Sequence, residues 1–357
     1  MRVSIAVLPG DFIGPEVIEA TIEVLNVVGE GFGLDFDFQR YPFGGSAIEA
    51  YGQPLPDITR EAVLGSNAVL MGSAGGPVGD HPWNRLPREL RVETGILQLR
   101  KHLGVFSNLR PVKVFSGLEH LSPLKSEVAQ GTDLLIIREL TGGIYFGKPS
   151  ENTPERGVST MVYQRYEVER IARVAFETAI ARGGKVTSVD KANVLDVSQH
   201  WRDVIEGVHR TEFPQVGLEH LYVDNAAMQI VRDPKQFDVI VTANLFGDIL
   251  SDLAAVIPGS LGVLPSASLG GPIGLFEPVH GSAPDIAGKG IANPVGTMLS
   301  AAMMLRFGLR EGAAADAIEE AVQQALAEDP TQDLGGTRNT SAFTEAVSAA
   351  LPIPSRS

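Results

Sequence analysis

Three aspartates carry the clearest chemical signal in the sequence. Asp248 and Asp252 lie four residues apart in a segment with helical periodicity, and Asp224 directly follows the strand-like segment His220 to Val223. Residues at this spacing share one face of a helix. On a solvated helix the like-charged pair costs only about 0.2–0.5 kcal/mol, so a surface position is one interpretation. The other is a site for a hard divalent cation, Mg²⁺ or Mn²⁺, which prefers oxygen ligands and would offset the repulsion.

Three arginines on separate segments are the candidate partners of an anionic ligand. Arg100 lies in the helical pattern RVETGILQLRKHLG, Arg110 follows ten residues later, and Arg138 ends the predicted strand Asp133 to Ile137. Isolated arginines are usually surface charges. If these three converge, their forked donors suit a substrate with two carboxylates.

Several predicted strands end in a charged residue. The segments before Arg138, Lys191 and Asp224 are strand-like, and Asp248 follows the strand Asp238 to Thr242 after a turn, with the next helix expected to begin at Gly247. Parallel α/β sheets bind ligands at the carboxyl ends of their strands. A lysine placed there beside a cation has a lowered pKa, so it is a candidate base for a hydroxyl group.

The glycine-rich segments do not contain a standard nucleotide motif. The first strand, Val3 to Leu8, runs into the turn Gly10 to Gly14, but the G-x-G-x-x-G fingerprint is absent there and elsewhere. Gly281 to Lys289 does not have the spacing of a P-loop. A looser interpretation remains, in which small residues bring backbone donors near a nucleotide, with His280 and Asn293 on its adenine side and Asp285 on its ribose.

Length and composition indicate a soluble protein of about two domains. The chain has 357 residues, of which 44% are hydrophobic, and its 29 basic and 43 acidic residues give a net charge of −14. This charge disfavours nucleic acid and anionic membranes as partners. Cysteine is absent, which excludes disulfides and thiolate chemistry, and no signal peptide or membrane span is evident, so a cytoplasmic location is expected.

Long helical patterns complete the chain. Helices are predicted at Gln164 to Arg182, Thr297 to Phe307 and Ala313 to Leu326, and the tail after Pro352 is expected to be frayed. Thr141 to Gly147 is predicted as a glycine-flanked loop or hairpin that displays Tyr145.

Eight segments in order resemble one known family. They are LPGDFIGPEV, ETGILQLRK, NLRPVKVF, RELTGGIYFG, DKANVL, YVDNAAMQ, NLFGDILSD and GLFEPVHGSAPDIAGKGIANP. The chain resembles the metal-dependent β-decarboxylating dehydrogenases, which include the isocitrate and isopropylmalate dehydrogenases. The resemblance implies a two-domain α/β fold with a large mixed sheet that is not a Rossmann fold. It implies a first domain from residues 1–105 and 259–357, on the cofactor side, and a second from residues 106–258, which carries the dimer contact, the metal and the catalytic residues.

The resemblance also implies roles for individual residues. Lys191 would help to remove the substrate's hydroxyl proton, and Tyr145 would protonate the enolate carbon after loss of CO₂. Asp224, Asp248 and Asp252 would hold Mg²⁺ or Mn²⁺, with Lys191 and Asp224 reaching into the site of a second subunit of a homodimer. The expected substrate contacts are Arg100, Arg110, Arg138, Asp224, Glu93, Ile96, Leu97 and Val194. The expected cofactor contacts are Glu277, His280, Gly281, Ser282, Ala283, Pro284, Asp285, Ile286 and Asn293.

The variable positions of the family predict the substrate and the cofactor. Ile96, Leu97 and Val194 are apolar and suit an isopropyl group, which favours (2R,3S)-3-isopropylmalate over homoisocitrate, tartrate or D-malate. Asp285 would accept hydrogen bonds from free ribose hydroxyls and repel a 2′-phosphate, which favours NAD over NADP. Phe12 departs from the family's usual glycine and would be strained if the position requires a positive φ. A non-catalytic nucleotide- or metal-binding protein is the alternative of a different class.

Overall fold

The computed structural model describes residues 2–77, 79 and 81–352. Its strands are β1 (Arg2–Gly10), β2 (Asp35–Arg40), β3 (Ala68–Ser73), β4 (Ser107–Lys113), β5 (Asp133–Glu139), β6 (Ser150–Asn152), β7 (Gly157–Ser159), β8 (Lys185–Asp190), β9 (Gly217–Tyr222), β10 (Val239–Thr242), β11 (Pro265–Leu269) and β12 (Leu275–Pro278). Its α-helices are α1 (Gly14–Phe32), α2 (Gly45–Tyr51), α3 (Asp57–Leu64), α4 (Val92–Leu103), α5 (Ser126–Ala129), α6 (Arg165–Ile180), α7 (Asp196–Glu212), α8 (Val223–Arg232), α9 (Asn244–Ala255), α10 (Val295–Met303), α11 (Gly312–Glu328) and α12 (Thr340–Ala350). The predicted frayed tail after Pro352 lies outside the described residues.

The described chain divides into two compact units. The first contains the residues up to Val105 and those from Ser260 onward, and the second is Phe106–Gly259. The sheet of each unit contains five strands with both parallel and antiparallel pairing, so the predicted mixed α/β fold class is confirmed. A separate two-stranded antiparallel ribbon, β6 with β7, belongs to the second unit.

The sheet of the first unit has the order β2-β1-β3-β12-β11. The central strands pair in parallel, and β11 runs antiparallel to β12. The apolar side chains of β1 are buried because helices cover the sheet, and Val3, Ile5 and Val7 are 0% exposed. Helix α1 begins at Gly14 and has a proline in its first turn, where a backbone N–H would have no partner within the helix. Gly33, with a φ of 71°, caps the C-terminus of the helix.

The sheet of the second unit has the order β4-β5-β10-β8-β9. Strands β5, β10, β8 and β9 are mutually parallel, and β4 is antiparallel to β5. The carboxyl ends of four strands therefore meet at one edge, as predicted. Arg138 lies at the end of β5, Lys191 follows β8, and Asp224 lies in the first turn of α8 directly after β9.

The predicted start of α9 was wrong by one turn. The helix begins at Asn244 rather than Gly247, because Ala243 is extended and its carbonyl already accepts the first intrahelical bond from the Gly247 amide at 2.8 Å. The segment predicted as a turn is thus the first helical turn. Asn244, which opens the helix, is buried at the edge where the strands end.

The other predicted helices lie within a few residues of their expected bounds. The helix predicted from Gln164 begins after it, since Gln164 is the capping residue of α6 and its backbone amide donates a hydrogen bond to the Glu167 carboxylate at 2.8 Å. Helix α10 is shorter than predicted, because a π-helical turn, Met304–Gly308, replaces its last turn. The loop that displays Tyr145 contains a single 3-10 turn, Gly143–Tyr145, and Gly143 has φ 74°.

Candidate active site

One face of the β4 and β5 pair carries both arginines of the second unit. In the antiparallel register Asn108 lies opposite Arg138, and Arg110 is two residues beyond Asn108 on the same strand. Side chains at alternate positions of a strand point to one face, and directly opposed residues share that face. The strand pairing therefore brings Arg110 and Arg138 to the same surface.

Helix α9 lies against this face because Gly247 has no side chain. A Cβ at Gly247 would come within 2.7 Å of both Cβ and Cγ of Arg138. Real Cβ atoms do not approach so closely, so a larger residue would force the helix or the arginine to move. The close approach places Asp248, the next residue of the helix, beside the end of the Arg138 side chain.

Asp248 is the centre of the resulting cluster. Its carboxylate accepts a charge-assisted hydrogen bond from Arg138 Nη1 and a second from the Tyr145 hydroxyl at 3.0 Å. The Arg138 side chain is 3% exposed, and its guanidinium carbon lies 5.9 Å from the centre of the Tyr145 ring. An anionic helix residue thus links the arginine and the tyrosine.

Arg110 contacts the next turn of the same helix. Its Nη1 donates to Ser251 Oγ at 2.7 Å and lies 3.5 Å from Asp252 Oδ1 and 3.8 Å from Asp248 Oδ1. The guanidinium therefore partly offsets the repulsion between the two aspartates, which face it from one side of α9. The Asp252 side chain remains 68% exposed and accessible to a cation.

Two pKa shifts follow from this geometry. Burial, then the charge of Asp248 and the hydrogen bond to it, raise the pKa of Tyr145 above its usual value of 10. The phenol therefore keeps its proton throughout the neutral range, as a general acid requires. Partial burial, opposed by Arg110 and reinforced by Asp248, raises the pKa of Asp252. A divalent cation would favour the ionised form and reverse this shift.

Lys191 and Asp224 form a second pair in the same unit. Lys191 Nζ lies 2.6 Å from Asp224 Oδ1, and this hydrogen bond lowers the pKa of the exposed carboxyl group. Val194, in the turn that follows Lys191, is 69% exposed. No three His, Cys, Asp or Glu side chains of the described residues form a metal-binding group. Within the described chain, Asp248 and Asp252 face the same side of α9 and have the oxygen atoms that Mg²⁺ or Mn²⁺ prefers, whereas Asp224 is paired with Lys191.

The first unit holds the third arginine in a different setting. Arg100 of α4 is buried and donates to Glu277 of β12 at 3.0 Å, and its Nε is buried with no hydrogen-bond partner in the described residues. Glu93 of the same helix is exposed, and Ile96 and Leu97 are half-buried. An orphaned guanidinium N–H is a position for an acceptor, which a substrate carboxylate would supply.

The predicted cofactor segment follows β12. Its backbone is anchored, because the Ile13 amide donates to the Ser282 carbonyl at 3.1 Å and the Ala292 amide donates to the Glu16 carboxylate at 2.9 Å. Ile286 packs with Ala283 and Ala287 against the buried side chains of Ile13, Val17 and Ala292. Gly281 and Asp285 are exposed, and Pro284 is half-buried.

The polar side chains of this segment differ in how many hydrogen bonds they already make within the protein. His280 Nε2 is buried and has no hydrogen-bond partner among the described residues, and burial lowers the pKa of the ring. The Asn293 side chain is already engaged, since it donates to Asp333 and accepts from the Val295 amide, each at 3.0 Å. The unpaired histidine nitrogen and the exposed Asp285 carboxylate fit a ligand such as a dinucleotide, which has many polar atoms.

Phe12 has the conformation that usually requires glycine. Its φ is 52°, and its ring lies 5.9 Å from that of Trp83 at a tilt of 52°. The sequence predicted strain at Phe12 if this position has a positive φ, and the structure meets that condition. The left-handed region costs a residue with a side chain about 1–2 kcal/mol, which the aromatic contact partly offsets.

Comparison with known proteins identifies the family. The family model described as isocitrate/isopropylmalate dehydrogenase matches residues 4–347. The chain belongs to this family. Two curated relatives are called 3-isopropylmalate dehydrogenase: one from Deinococcus radiodurans is 54% identical over 96% of each chain, and one from Thermosynechococcus vestitus is 59% identical over 90% of each. This family member is therefore an oxidoreductase.

Solved structures give the same fold assignment. An isocitrate dehydrogenase from Methylococcus capsulatus is 35% identical, covers 98% of this chain and 99% of its own, and superposes with a TM-score of 0.83. The TT0538 protein from Thermus thermophilus is 36% identical, with a TM-score of 0.87 over 99% of this chain and 69% of its own. Within the described part of this dehydrogenase, no helix has the length and apolar character needed to cross a membrane.

Sequence reasoning missed three polar residues that this dehydrogenase family member uses around its arginines. They are Asn108, which accepts from Arg110 Nε at 2.7 Å, Ser251, which accepts from Arg110 Nη1, and Asn244, which contacts Arg138. Asn108 was detectable, because a residue two positions from Arg110 on a strand shares its face. The roles of Ser251 and Asn244 depend on how α9 docks, which no local pattern reveals.

Proposed function

We propose that the protein catalyses the NAD-dependent oxidative decarboxylation of (2R,3S)-3-isopropylmalate to 4-methyl-2-oxopentanoate and CO₂, a step of leucine biosynthesis. The observation that supports this reaction best is the cluster in which Arg138, Tyr145 and Asp248 contact one another beside Arg110. It combines cationic groups for a carboxylate, a protonated acid and carboxylate ligands for a cation. The relatives called 3-isopropylmalate dehydrogenase support the same assignment.

Each residue of the proposed mechanism has a defined task. Arg100, Arg110 and Arg138 bind the two carboxylates of the substrate, and Lys191 takes up the proton of the hydroxyl group. When bound, the divalent ion would stabilise negative charge on the substrate oxygens, and NAD would accept the hydride. Tyr145 then delivers its proton to the carbon from which CO₂ has departed, and the raised pKa of Tyr145 keeps that proton available.

The proposed substrate preference rests on apolar side chains. Ile96 and Leu97 of α4 and the exposed Val194 would contact the isopropyl group, and none of them offers a hydrogen-bond partner to a polar arm. We expect kcat/KM for 3-isopropylmalate to exceed the values for homoisocitrate, tartrate and D-malate. Rates of NADH formation on the purified protein test this order, and a preference for D-malate would overturn it.

The proposed choice of NAD rests on Asp285. Its carboxylate is exposed, so it is available to accept bonds from the ribose hydroxyls, and its charge repels a 2′-phosphate. We expect kcat/KM for NAD to exceed that for NADP. The variant Asp285→Asn should reduce the ratio of kcat/KM for NAD to kcat/KM for NADP, because it removes the negative charge but keeps the size of the side chain.

We also propose a homodimer in which Lys191 and Asp224 complete the site of the other subunit. The support is that Asp224 is exposed and not grouped with Asp248 and Asp252, while α8 and α9 leave Met228 and Ile249 more than half exposed. The metal would then bind Asp248 and Asp252 of one subunit together with Asp224 of the partner subunit. The first unit would provide the cofactor side, and the second would provide the dimer contact and the catalytic residues.

Hybrid dimers test the shared site. Lys191→Ala and Tyr145→Phe should each abolish most activity alone. If the two residues come from different subunits, a mixed dimer of the two variants contains one site with both residues intact. Co-expression and refolding together should therefore restore activity to a measurable fraction of the wild-type value. Absence of any recovery in verified hybrid dimers would show that each subunit uses its own lysine.

The first experiment is NADH formation from 3-isopropylmalate with and without a chelator. We expect activity with Mg²⁺ or Mn²⁺, loss of it with chelator, and recovery when the ion is added back. A folded protein that forms no NADH from 3-isopropylmalate, homoisocitrate, tartrate or D-malate under any of these conditions would instead be the non-catalytic nucleotide- or metal-binding protein.

A further inference from the structure

Asn244, the first residue of α9, has a side chain in which both polar atoms are engaged. The residue is 1% exposed. Its Oδ1 accepts from Arg138 Nη2 at 2.8 Å and from Arg138 Nε at 3.2 Å. Its Nδ2 donates to the Leu140 carbonyl at 2.9 Å and to the Gly142 carbonyl at 3.3 Å. One amide therefore joins the guanidinium of Arg138 to the segment that leads to Tyr145.

Tyr163 contacts both the start of α9 and the loop that leads to Tyr145. Its hydroxyl accepts from the Asn244 backbone amide at 2.8 Å, and the residue is 6% exposed. Its ring closely contacts Gly142 and Gly143, since a Cβ at either glycine would lie within 2.7 Å of a Tyr163 atom. The start of α9 and the loop of Tyr145 are thus held against the same aromatic ring.

We propose that Asn244 is a positioning residue that orients two reacting groups together, the Arg138 guanidinium and the Tyr145 hydroxyl. The inference rests on the proposed function only for what those two groups do. With Nε and Nη2 held by Asn244, the plane of the guanidinium is set and Nη1 is directed toward Asp248. Asp248 accepts the Tyr145 hydroxyl, so both ends of the cluster depend on the same amide.

The amide of Asn244 meets two opposite requirements at this position. An arginine needs an acceptor, whereas two backbone carbonyls need a donor. Aspartate retains the acceptor but places a second oxygen against the carbonyls of Leu140 and Gly142. Alanine retains neither group, so Arg138 and the carbonyls of Leu140 and Gly142 lose the bonds that Asn244 makes with them. The two variants therefore separate the arginine contact from the loop contact.

Asn108 provides a matched comparison within the same unit. It is 0% exposed and accepts from Arg110 Nε at 2.7 Å, so it orients the neighbouring arginine in a similar way. A control for loss of a buried hydrogen bond alone is Thr344 of α12, which is 1% exposed and donates to the Thr340 carbonyl at 2.7 Å. Thr344→Val removes that bond in the other unit and touches none of the reacting groups.

The experiment measures kcat, the KM values of both substrates, the pH profile and Tm for Asn244→Ala, Asn244→Asp, Asn108→Ala and Thr344→Val. For Asn244→Ala we expect KM for 3-isopropylmalate to rise and kcat to fall, each about 10-fold or more, the order expected when hydrogen bonds to a charged group are lost. KM for NAD should stay within about twofold, because the cofactor segment is not involved.

The other variants show whether the effect is one of position. Asn244→Asp should retain most of the affinity for 3-isopropylmalate but show a lower kcat and a shifted pH profile, because only the loop contact is lost. Asn108→Ala should raise KM for 3-isopropylmalate with little change in the pH profile. Thr344→Val should lower Tm and leave all kinetic constants unchanged. Calorimetric binding of 3-isopropylmalate should follow the KM values.

The outcomes distinguish the inference from the proposed function. If the wild-type protein forms no NADH from 3-isopropylmalate, the proposed function fails. If the wild type is active and folded Asn244→Ala keeps both constants, or if KM for NAD rises in parallel, the positioning role is refuted. Should Asn244→Ala not fold, Tyr163→Phe replaces it, since it keeps the ring and removes the hydroxyl that accepts from the Asn244 amide and interacts with Glu139. Unchanged kcat in that variant would also refute the role.

Discussion

The polar cluster of the second unit and the predicted cofactor segment of the first differ in how complete they are. In the second unit Arg110, Arg138, Asp248 and Tyr145 have hydrogen-bond partners on their own unit. In the first unit a nitrogen of His280 is buried without a partner in the described chain. The cluster is therefore oriented before any ligand binds, whereas the segment has polar capacity that a ligand would satisfy. We therefore expect substitutions in the polar cluster of the second unit to reduce catalysis. Substitutions in the cofactor segment of the first unit should instead change ligand binding or stability.

Tyr145→Phe should have the largest effect. It removes the proton donor and keeps the ring, so kcat should fall by about 10²- to 10⁴-fold, the usual contribution of a general acid. Steady-state kinetics, with Tm as the check on folding, measure this. KM for NAD should be nearly unchanged, and a comparable rise in it would show that the two regions are not separable.

Gly247→Ala tests the close approach of α9. A methyl group within 2.7 Å of the Arg138 side chain should lower the unfolding free energy by about 1–3 kcal/mol and reduce kcat/KM about 10-fold or more. The matched control is Gly207→Ala in α7, where a Cβ meets no atom within 4 Å. There alanine should stabilise the protein by about 0.5–1 kcal/mol, because it has the better helix propensity. Chemical denaturation measures both, and equal effects at the two glycines would contradict the role of Gly247.

Variants at Phe12 test strain in the first unit. Phe12→Gly relieves about 1–2 kcal/mol of left-handed strain but loses the contact with Trp83 and about 0.5–1 kcal/mol of backbone entropy, so the net change should stay within about 1 kcal/mol. Phe12→Val keeps the positive φ with a branched side chain and loses the ring. It should be less stable by about 2 kcal/mol or more. Urea titration distinguishes them, and a valine variant as stable as the glycine variant would argue against strain.

The smallest effect should be a pH dependence of stability. Burial lowers the pKa of His220 in the second unit and of His280 in the first below 6.5. Near His220, Arg202 and His209 lower its pKa further, while Glu206 and Asp190 oppose them. Because the unfolded chain binds protons first, the unfolding free energy should fall as the pH drops below about 6.5. The variant His220→Gln should reduce the dependence of the unfolding free energy on pH. Saturating NAD should reduce only the part of this dependence that comes from His280.

Much of the candidate site was predictable because its residues sit in local patterns. The pairing of Asp248 with Asp252 follows from helical spacing, and the position of Arg138, Lys191 and Asp224 at one sheet edge follows from parallel strands. The first turn of α9 was missed because Asn244 to Gly247 contains residues typical of turns. The strain at Phe12 was predicted only conditionally, since this turn is held by tertiary bonds, such as those from the Asp11 amide to Ser73 and from the Ile13 amide to Ser282, which are distant in the chain.

Residue types and motif order were sufficient to determine the family and the mixed α/β architecture, and they predicted a candidate set of charged residues for the proposed reaction. The sequence could do this because periodicity and family motifs are local properties. Only the tertiary structure decided which partner each charge has: Asp248 with Arg138 and Tyr145, Lys191 with Asp224, and Asn244 between an arginine and a loop. These choices depend on hydrogen-bond distances and directions between segments far apart in the chain, and such distances exist only after the helices and loops have packed at the ends of the strands.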